Sequence, residues 1–550
     1  GSATQIDSLC LRWPDGRYQR ILQPAVDELL TLSYAPDGPA APAPAPPPPL
    51  LQAMTVAGLS AYQHTENPYN DFDFEVLLPH KLSQCGPGLA VGDLNGDGLD
   101  DLWVGGAKGQ QAQIFTQAPD GTFSAILPYP EDSVYEDAAA LWLDADGDGD
   151  QDLYVASGGN ERPEGEAFYQ DRFYRNTGGQ LIRDHEALPD LTGSAGSVCA
   201  ADYDRDGDLD LFVAGRLAPR RYPYAGRSYL LENDNGRFRD VTGAQAPGLR
   251  EAGRVSQALW ADLDQDGWPE LLLVGEWMAP MCFQNQKGRL QRVTSPGLDE
   301  ATGWWNSLTA ADFDGDGDLD LVAGNLGLNS RYQASPQAPL QLHAKDYDEN
   351  GQVDPIMSFQ LEGKSVPAHY RNTLTRQIKA MYRRFPSYAD YGRATMEVVL
   401  TPAERAGALT LSAACLESSY FENLGEGRFQ RRALPRLAQV APVFGLLPLD
   451  VNGDAALDLV LVGNSYATET HVGNYDAMQG LVLLGDGKGQ FRALTARESG
   501  WVAPGDMKAL VRLRRADGSS LLCASRNQGG LSLAGLDGHS LALQPMDSHV

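Results

Sequence analysis

One unit recurs along the chain from about Gly88 onward: an apolar strand, an aspartate-rich loop and a second apolar strand. In the first copy the strands read Gly-Leu-Ala-Val-Gly and Leu-Trp-Val-Gly-Gly, with residues 93–101 between them. A seventh copy, residues 507–524, keeps both strands but lacks the aspartates. Repetition of this kind is typical of proteins built from stacked supersecondary units. The loops begin at Asp93, Asp144, Asp202, Asp262, Asp312 and Asp450.

A second hairpin follows each of the seven first hairpins, and the last of these begins at Leu531 and turns at Gly538. Two hairpins give four antiparallel strands, which is the content of one propeller blade. The sequence therefore predicts an all-β fold, a seven-bladed β-propeller over residues 51–550. The alternative is an eight-fold arrangement in which the hairpin around Asp346 forms a blade of its own.

A smaller segment precedes the repeats. Strand-like runs cover residues 6–13, 18–22 and 29–34, which is too little chain to bury a core. Residues 35–50 are almost entirely proline and alanine, so we expect an extended spacer there. We predict a small N-terminal β segment over residues 1–36, a linker over 37–50, and the propeller over 51–550.

An insertion at about residues 326–406 splits the fifth unit. It contains apolar residues with the spacing of one helix face, which predicts a partly helical insertion: Leu374, Ile378, Met381 and Phe385. Basic residues crowd the same segment: Arg371, Arg376, Lys379, Arg383 and Arg384. They form either a solvated face on a helix that caps the propeller or a docking element for an acidic partner.

The aspartate-rich loops follow the pattern D-x-[DN]-x-[DN]-G-x-x-[DE], and a seventh match lies in the insertion. Side chains at positions 1, 3, 5 and 9 converge in a tight turn, position 7 offers a backbone carbonyl, and calcium takes six to eight such oxygens. The predicted ligands are Asp93, Asn95, Asp97 and Asp101; Asp144, Asp146, Asp148 and Asp152; Asp202, Asp204, Asp206 and Asp210; Asp262, Asp264, Asp266 and Glu270; Asp312, Asp314, Asp316 and Asp320; Asp346, Asp348, Asn350 and Asp354; Asp450, Asn452, Asp454 and Asp458.

These loops differ from EF-hands, because position 12 is an apolar strand residue such as Val104 or Val155 rather than glutamate. Carboxylates packed this closely repel one another unless a cation neutralises them. The sequence therefore predicts six or seven bound Ca²⁺ ions. The sixth propeller loop has Ala455 where the turn calls for glycine, so we expect a weaker site there.

The formal net charge is −30, which argues against a nucleic-acid partner. Seven Ca²⁺ ions would bring that charge to about −16, so much of the acidity serves the loops. The six cysteines form no CxxC pair, so zinc and thiol-redox motifs are not supported. No apolar run is long enough to span a bilayer.

The repeats resemble the FG-GAP or VCBS repeats of integrin α-subunit propellers and bacterial surface proteins. The opening segment, IDSLCLRWPDGRYQRILQPAVDELLTL, resembles the end of the ASPIC/UnbV domain. That domain accompanies such repeats in proteins related to cartilage acidic protein and in exported proteins of Bacteroidetes. The resemblance implies a calcium-stabilised propeller, exported to the cell surface or outer membrane, with adhesion or ligand binding as its role. It also implies that the first domain is the end of a longer one.

The loops after each second strand open on the face opposite the aspartate loops. They are long and rich in Arg, Asn, Trp and Tyr, which suits recognition of proteins or polymers. We place Trp304, Trp305 and His471 on this face. Three hypotheses follow: a secreted or cell-surface binding module that holds a protein or glycan, a structural subunit of an exported assembly, and a lyase or hydrolase. Since no catalytic motif is present, we expect binding rather than catalysis.

Overall fold

The computed structural model describes residues 5–13, 17–26, 28–34, 48–127 and 129–536. Nearly all of their regular structure is antiparallel β-sheet, and each α-helix spans only four to seven residues. This confirms the predicted all-β class. The chain divides into two compact units, Gly1–Pro49 and Leu50–Val550.

The smaller unit contains one hairpin, in which β1 (Ser8–Arg12) pairs with β2 (Tyr18–Leu22). The ring of Trp13 lies edge-on to that of Tyr34, with centroids 5.3 Å apart. The strand predicted at residues 29–34 is wrong: this stretch is irregular, and Leu29 is 97% exposed. A two-stranded hairpin offers too little surface to bury a third apolar segment. Residues 37–47 of the predicted linker lie outside the described residues.

The larger unit begins with β3 (Gln52–Ala53), and four sheets follow in which the four strands pair in chain order. A short helix, α1 (Thr242–Gln245), lies between the third and fourth of these sheets. The sixteen strands are β4 (Leu89–Gly92), β5 (Asp101–Val104), β6 (Gln113–Gln117) and β7 (Phe123–Ile126); β8 (Asp137–Leu143), β9 (Asp152–Ser157), β10 (Arg172–Thr177) and β11 (Gln180–Arg183); β12 (Ser194–Ala201), β13 (Asp210–Leu217), β14 (Tyr229–Glu232) and β15 (Arg239–Asp240); β16 (Arg254–Ala261), β17 (Glu270–Met278), β18 (Met281–Asn285) and β19 (Leu290–Arg292).

The insertion interrupts the fifth sheet and forms a four-stranded sheet of its own with five short helices. Its last strand lies beyond the predicted end at about residue 406. The elements in chain order are β20 (Gly303–Trp304), which pairs with β17; β21 (Ser307–Ala311) and β22 (Asp320–Gly324) of the fifth sheet; β23 (Leu340–Lys345), β24 (Asp354–Leu361), β25 (Lys364–Pro367), α2 (Arg371–Gln377), α3 (Met381–Arg384), α4 (Tyr388–Tyr391), α5 (Met396–Val399), α6 (Pro402–Arg405) and β26 (Leu409–Ala413) of the insertion; and β27 (Ser419–Asn423) and β28 (Phe429–Ala433), which complete the fifth sheet.

The seventh sheet is completed from the other end of the unit, because β3 pairs with its last described strand. The turn predicted at Gly538 lies outside the described residues, and the outer place in the sheet is taken by Gln52 and Ala53. The remaining elements are β29 (Val443–Leu449), β30 (Asp458–Gly463), β31 (Leu481–Gly485) and β32 (Phe491–Ala493) of the sixth sheet, α7 (Ala496–Ser499), and β33 (Met507–Arg514), β34 (Ser520–Arg526) and β35 (Ser532–Leu536) of the seventh.

Single turns of 3₁₀-helix occur in six of the described connections. They are Leu59–Ala61, Asp71–Asp73, Pro130–Val134, Ala167–Tyr169, Pro247–Glu251 and Arg436–Gln439.

The first strands of seven sheets contact one another in a closed cycle: β4, β8, β12, β16, β21, β29, β33 and again β4. The inserted sheet stands outside this cycle and contacts it through β26, which lies against β17 and β20. We interpret the cycle as the seven predicted blades, with the hairpin around Asp346 as an inserted element.

The hydrophobic core is divided among the gaps between neighbouring sheets. One cluster joins Tyr154 and Phe173 of the second sheet to Leu211 and Val213 of the third. Because each sheet buries both faces against its neighbours, the second strands are continuous apolar runs.

The single helix predicted from Leu374 to Phe385 is wrong. All four apolar residues share one buried cluster, but Leu374 lies on α2 and Met381 on α3, Ile378 between the helices is extended (φ −113°, ψ 96°), and Phe385 follows α3. Two helical turns joined by an extended residue place these side chains on one side as well as one helix does. Arg371 of the predicted basic face is buried, and its guanidinium donates to the carbonyls of Phe385 (2.8 Å) and Pro386 (3.1 Å).

Candidate functional site

Six of the predicted loops connect the first and second strands of ring sheets, and the seventh connects β23 to β24. In every loop, the ninth residue is also the first residue of the second strand. Its carboxylate is buried in all seven cases: Asp101, Asp152, Asp210, Glu270, Asp320, Asp354 and Asp458.

In several loops, one backbone amide of the loop and one of the third strand hold this ninth carboxylate. In the first loop, the amide of Leu94 donates to one oxygen of Asp101 (3.0 Å), and the amide of Gln117 on the third strand donates to the other (2.8 Å). The side chain therefore fixes the loop to the third strand of its own sheet. Equivalent pairs of bonds reach Asp152, Asp320 and Asp458.

Burial raises the pKa of each ninth carboxyl group, and neighbouring loop carboxylates add to the rise while the amide bonds oppose it. The pKa reaches about 7 at Glu270 and about 8 at Asp210. A raised pKa means that the charged form is unfavourable in the protein alone. A nearby cation would reverse that effect. The pKa is about 6 at Asp101, Asp152, Asp320, Asp354 and Asp458.

Five of the loops bring three carboxylates together so that one oxygen from each lies within 4.8 Å of the others. Several carboxylate oxygens in these loops are shielded from water and accept no hydrogen bond from any described residue; Asp202 Oδ1 and Asp262 Oδ1 are examples. Unpartnered oxygens at this spacing fit a hard cation bound by oxygen ligands. The clusters are Asp144, Asp146 and Asp148; Asp202, Asp204 and Asp206; Asp262, Asp264 and Glu270; Asp312, Asp314 and Asp316; and Asp346, Asp348 and Asp354.

The first and sixth loops differ because asparagine occupies position 3. The amide of Asn95 donates to Asp97 (3.1 Å), and that of Asn452 donates to Asp454 (2.9 Å). One oxygen of each fifth-position carboxylate is therefore already engaged. In the sixth loop, Ala455 also takes the left-handed conformation (φ 69°) that glycine takes at this position in the other loops.

Sequence reasoning missed a carboxylate at position 7, where it expected only a backbone carbonyl. Asp208 and Asp318 each have a shielded oxygen without a hydrogen-bond partner among the described residues. Burial, together with the neighbouring carboxylates, raises the pKa of both to about 6. The run D-G-D-x-D was visible in the sequence and already carried this signal.

A second missed feature is an asparagine that joins each of several loops to the next sheet. The Asn233 amide donates to the carbonyl of Ala145 in the preceding loop (2.8 Å), while its oxygen accepts from the amide of Gly236 (2.8 Å). Its own backbone amide donates to the ninth carboxylate, Asp210 (2.8 Å). Neighbouring loops are thus linked through one residue. The equivalent residues are Asn176, Asn285 and Asn423.

The opposite face contains a central cavity of about 380 Å³. It is lined by the initial residues of first strands, such as Leu89 and Arg254, whereas the aspartate loops follow the last residues of those strands. Trp304 lines this cavity as predicted. The placement of Trp305 is wrong: it is fully buried between sheets and donates to the carbonyl of Ala301 (2.9 Å).

His471 is exposed and lies against the ring of Tyr370, 4.3 Å between centroids, and it does not line the cavity. The histidine in the cavity wall is His80, whose Nε2 lies 3.0 Å from Glu276. Its Nδ1 faces the carbonyl of Lys81 at 3.0 Å. Sequence reasoning had no signal for His80, because the segment that carries it belongs to no repeat.

Glu276 is the acidic residue of the cavity wall, and it is satisfied by several donors. Arg254 donates through Nη2 (2.8 Å) and Nε (3.2 Å), and the hydroxyl of Tyr222 donates at 3.0 Å. Burial opposes the charge of Glu276, but Arg254 and His80 outweigh it and hold the pKa of this carboxyl well below its usual range. Glu276 is therefore a fixed anion.

Two family models match the chain. The model described as FG-GAP-like repeat matches residues 93–155, 144–213 and 262–323, and the one described as ASPIC and UnbV matches residues 1–38. These matches confirm the resemblance drawn from the sequence.

No curated protein matches the chain. Similar solved structures include BBS1N in complex with ARL6DN, which is 11% identical, with 88% of this chain and 98% of that chain covered and a TM-score of 0.40. YCF48 bound to D1 peptide is 8% identical, with 88% and 99% covered and a TM-score of 0.38. Among the described residues, no helix is both long and apolar enough to cross a membrane.

Proposed function

We propose that the chain is a calcium-stabilised binding module of a secreted or cell-surface protein, which holds a protein or glycan partner on the cavity face. The observation that carries this proposal is the set of shielded, unpartnered carboxylate oxygens in the aspartate loops, six of which lie on the face opposite the cavity. Those loops serve the stability of the ring, so the cavity face is left for recognition.

Calcium would be held by the side chains at positions 1, 3 and 5 of each loop, with position 9 and, in two loops, position 7 adding carboxylates. Bound there, the ion supplies positive charge that neutralises the cluster. The protein supplies the rest: the ninth carboxylate fixes the loop to its sheet, and the asparagine amides fix it to the next. The clusters around Asp144, Asp202, Asp262, Asp312 and Asp346 fit best.

Export is part of the proposal because weak extracellular modules bind calcium in roughly the 10⁻⁴ to 10⁻³ M range. A cytosol would leave such sites empty. FG-GAP and UnbV domains are typical of extracellular or surface proteins. Cell fractionation tests this point: recovery of the native protein from the cytoplasm would contradict it.

Binding is favoured over catalysis by the state of the cavity histidine. Both ring nitrogens of His80 face oxygen acceptors at 3.0 Å, so neither is free to take a proton from a substrate. A lyase or hydrolase remains the alternative that a turnover assay on the native partner would reveal. A structural role in an exported assembly is favoured by aromatic residues exposed on the insertion, where Tyr382 is 53% and Tyr388 67% exposed.

The experiment is a pull-down from the native membrane and extracellular fractions in calcium. Glu substitution in a loop of the cavity face, for example Tyr224→Glu in the connection that follows β13, should abolish capture of the partner. Glu substitution at Arg289 should leave capture unchanged, because this residue is exposed on the turn between β18 and β19, on the same face as the aspartate loops of the ring. Equal capture by both variants would refute the assignment of the binding face.

A further inference from the structure

We propose that the central cavity is an anion site that takes a carboxylate group, either from a free organic acid or from an acidic residue of a protein partner. This inference rests on the proposed binding role of the cavity face and names the chemistry that the face selects.

The wall of the cavity is cationic in a chain whose formal net charge is −30. Four basic residues line it against one acidic residue, Glu276, which Arg254 already neutralises. The basic residues are Lys81, Arg216, Arg254 and Lys508. The six aspartate loops of the ring lie at the far ends of the same first strands.

Two guanidinium groups in the wall have unused hydrogen-bond donors. Arg254 is 3% exposed, and its Nη1 has no hydrogen-bond partner among the described residues, although its other nitrogens bind Glu276. Arg216 is half-buried and forms no hydrogen bond or ion pair with any residue that the structure describes. Planar guanidinium donors match the two oxygens of a carboxylate. A bound carboxylate would supply acceptors to Arg216, whereas the free Nη1 of Arg254 is shielded from solvent and adds only its charge.

Cys85, Arg216 and Lys508 all line the cavity. Burial raises the pKa of Cys85, while Arg216 and Lys508 both act in the opposite direction on this one sulfur. Lys508 pairs with Asp506 (2.7 Å), whereas Arg216 and Lys81 form no ion pair with any residue that the structure describes.

The size and the remaining wall define the class of ligand. A volume of about 380 Å³ lies at the small end of the range for ligand pockets, which is roughly 300–1,000 Å³. Trp304, Tyr332 and Leu326 give one side of the cavity an apolar surface. A carboxylate attached to a small apolar or peptide body fits these features.

The test is isothermal titration calorimetry of the whole chain in calcium-containing buffer, with phenylacetate and the neutral phenylacetamide as matched probes. Phenylacetate should bind saturably and phenylacetamide should not. Arg216→Gln should weaken phenylacetate binding at least about tenfold, because a hydrogen bond to a charged group is lost. Arg289→Gln removes the same charge from the opposite face and should leave binding unchanged.

A second variant guards against misfolding: Ser256→Glu places a carboxylate in the cavity wall and should also abolish binding, with an unchanged melting temperature. An acetylated tetraglutamate peptide, compared with tetraglutamine, distinguishes the two sources of the carboxylate. The glutamate peptide must bind if the carboxylate comes from a protein partner, and it need not bind if the carboxylate comes from a free organic acid. If neither acidic probe binds saturably, or if Arg216→Gln binds like the wild type, the proposal is overturned. These probes need no natural partner, so a failed pull-down leaves their result intact.

Discussion

Replacing Asn285 by alanine should destabilise the ring by about 2–4 kcal/mol. This side chain is 3% exposed; its amide donates to the carbonyls of Tyr203 (2.7 Å) and Pro269 (3.2 Å), and its oxygen accepts from the amide of Gly288 (2.8 Å). Pro269 is half-buried and its carbonyl can turn to water, but Tyr203 and Gly288 are buried. Two buried groups left without partners cost about 1–2 kcal/mol each, which gives the total.

The assay is urea unfolding in saturating calcium, with Gln286→Ala as the matched control. Gln286 is the next residue and is exposed, so its loss should change the free energy of unfolding by no more than about 0.5 kcal/mol. Hydrogen exchange locates the effect: because Tyr203 belongs to the preceding loop, amides of the third sheet should exchange faster as well as those of the fourth. Equal stability of the two variants, or faster exchange in the fourth sheet alone, would refute the linking role of this asparagine.

Three further predictions concern the metal loops and the buried charges. Removal of calcium by a chelator should lower the melting temperature strongly, since each site adds about 2.7 kcal/mol of stability at 100-fold excess ligand. In calcium, Asp314→Ala should destabilise the protein more than Asp454→Ala. If elemental analysis confirms that the metal has been removed and the melting curve is unchanged, the prediction is wrong. Arg172→Met should lower the free energy of unfolding by about 3–5 kcal/mol, because Asp137, its buried partner at 2.5 Å, is left without a counter-charge. Arg239→Met, at a pair whose arginine is 67% exposed, should lower it by less than about 1 kcal/mol. Similar losses for the two variants in chemical denaturation would contradict this reasoning. Burial, with Lys508 nearby, lowers the pKa of His64 to about 4, so between pH 6.5 and 4 the unfolded chain binds a proton that the folded chain does not. The free energy of unfolding should therefore fall by about 2 kcal/mol from pH 7 to 5. If a His64→Gln variant has the same pH dependence of stability as the wild type, the assignment to His64 is wrong.

The repeated features of the fold were predictable because each is encoded within a short stretch of sequence. The strand–loop–strand unit has a hydrophobic period and a ligand spacing that are complete within about a dozen residues. The strained turn of the sixth loop was likewise visible at Ala455, since a residue other than glycine stands where the backbone takes a left-handed conformation.

The features that sequence reasoning missed depend on residues far apart in the chain. Trp305 follows Trp304 directly, yet one is in the core and the other lines the cavity, and the neighbouring sheets decide which. Three of the basic residues that line the cavity, Arg216, Arg254 and Lys508, belong to three different sheets. No local pattern brings such residues together; only closure of the ring does.

That closure is made by Gln52 and Ala53 against Gly535 and Ala534. During translation, Gln52 and Ala53 are synthesised at the start of the large unit, and Ala534 and Gly535 near its end. Until then the nascent chain is an open arc, with one sheet edge unpaired at each end and available to other chains. Pairing of these edges must therefore wait until Ser532–Leu536 has been synthesised. It brings together residues that are very far apart in the sequence, and contacts of this kind form slowly. A chain that terminates before this strand would contain all the strands of the other ring sheets, but the seventh sheet would be incomplete and the ring would stay open.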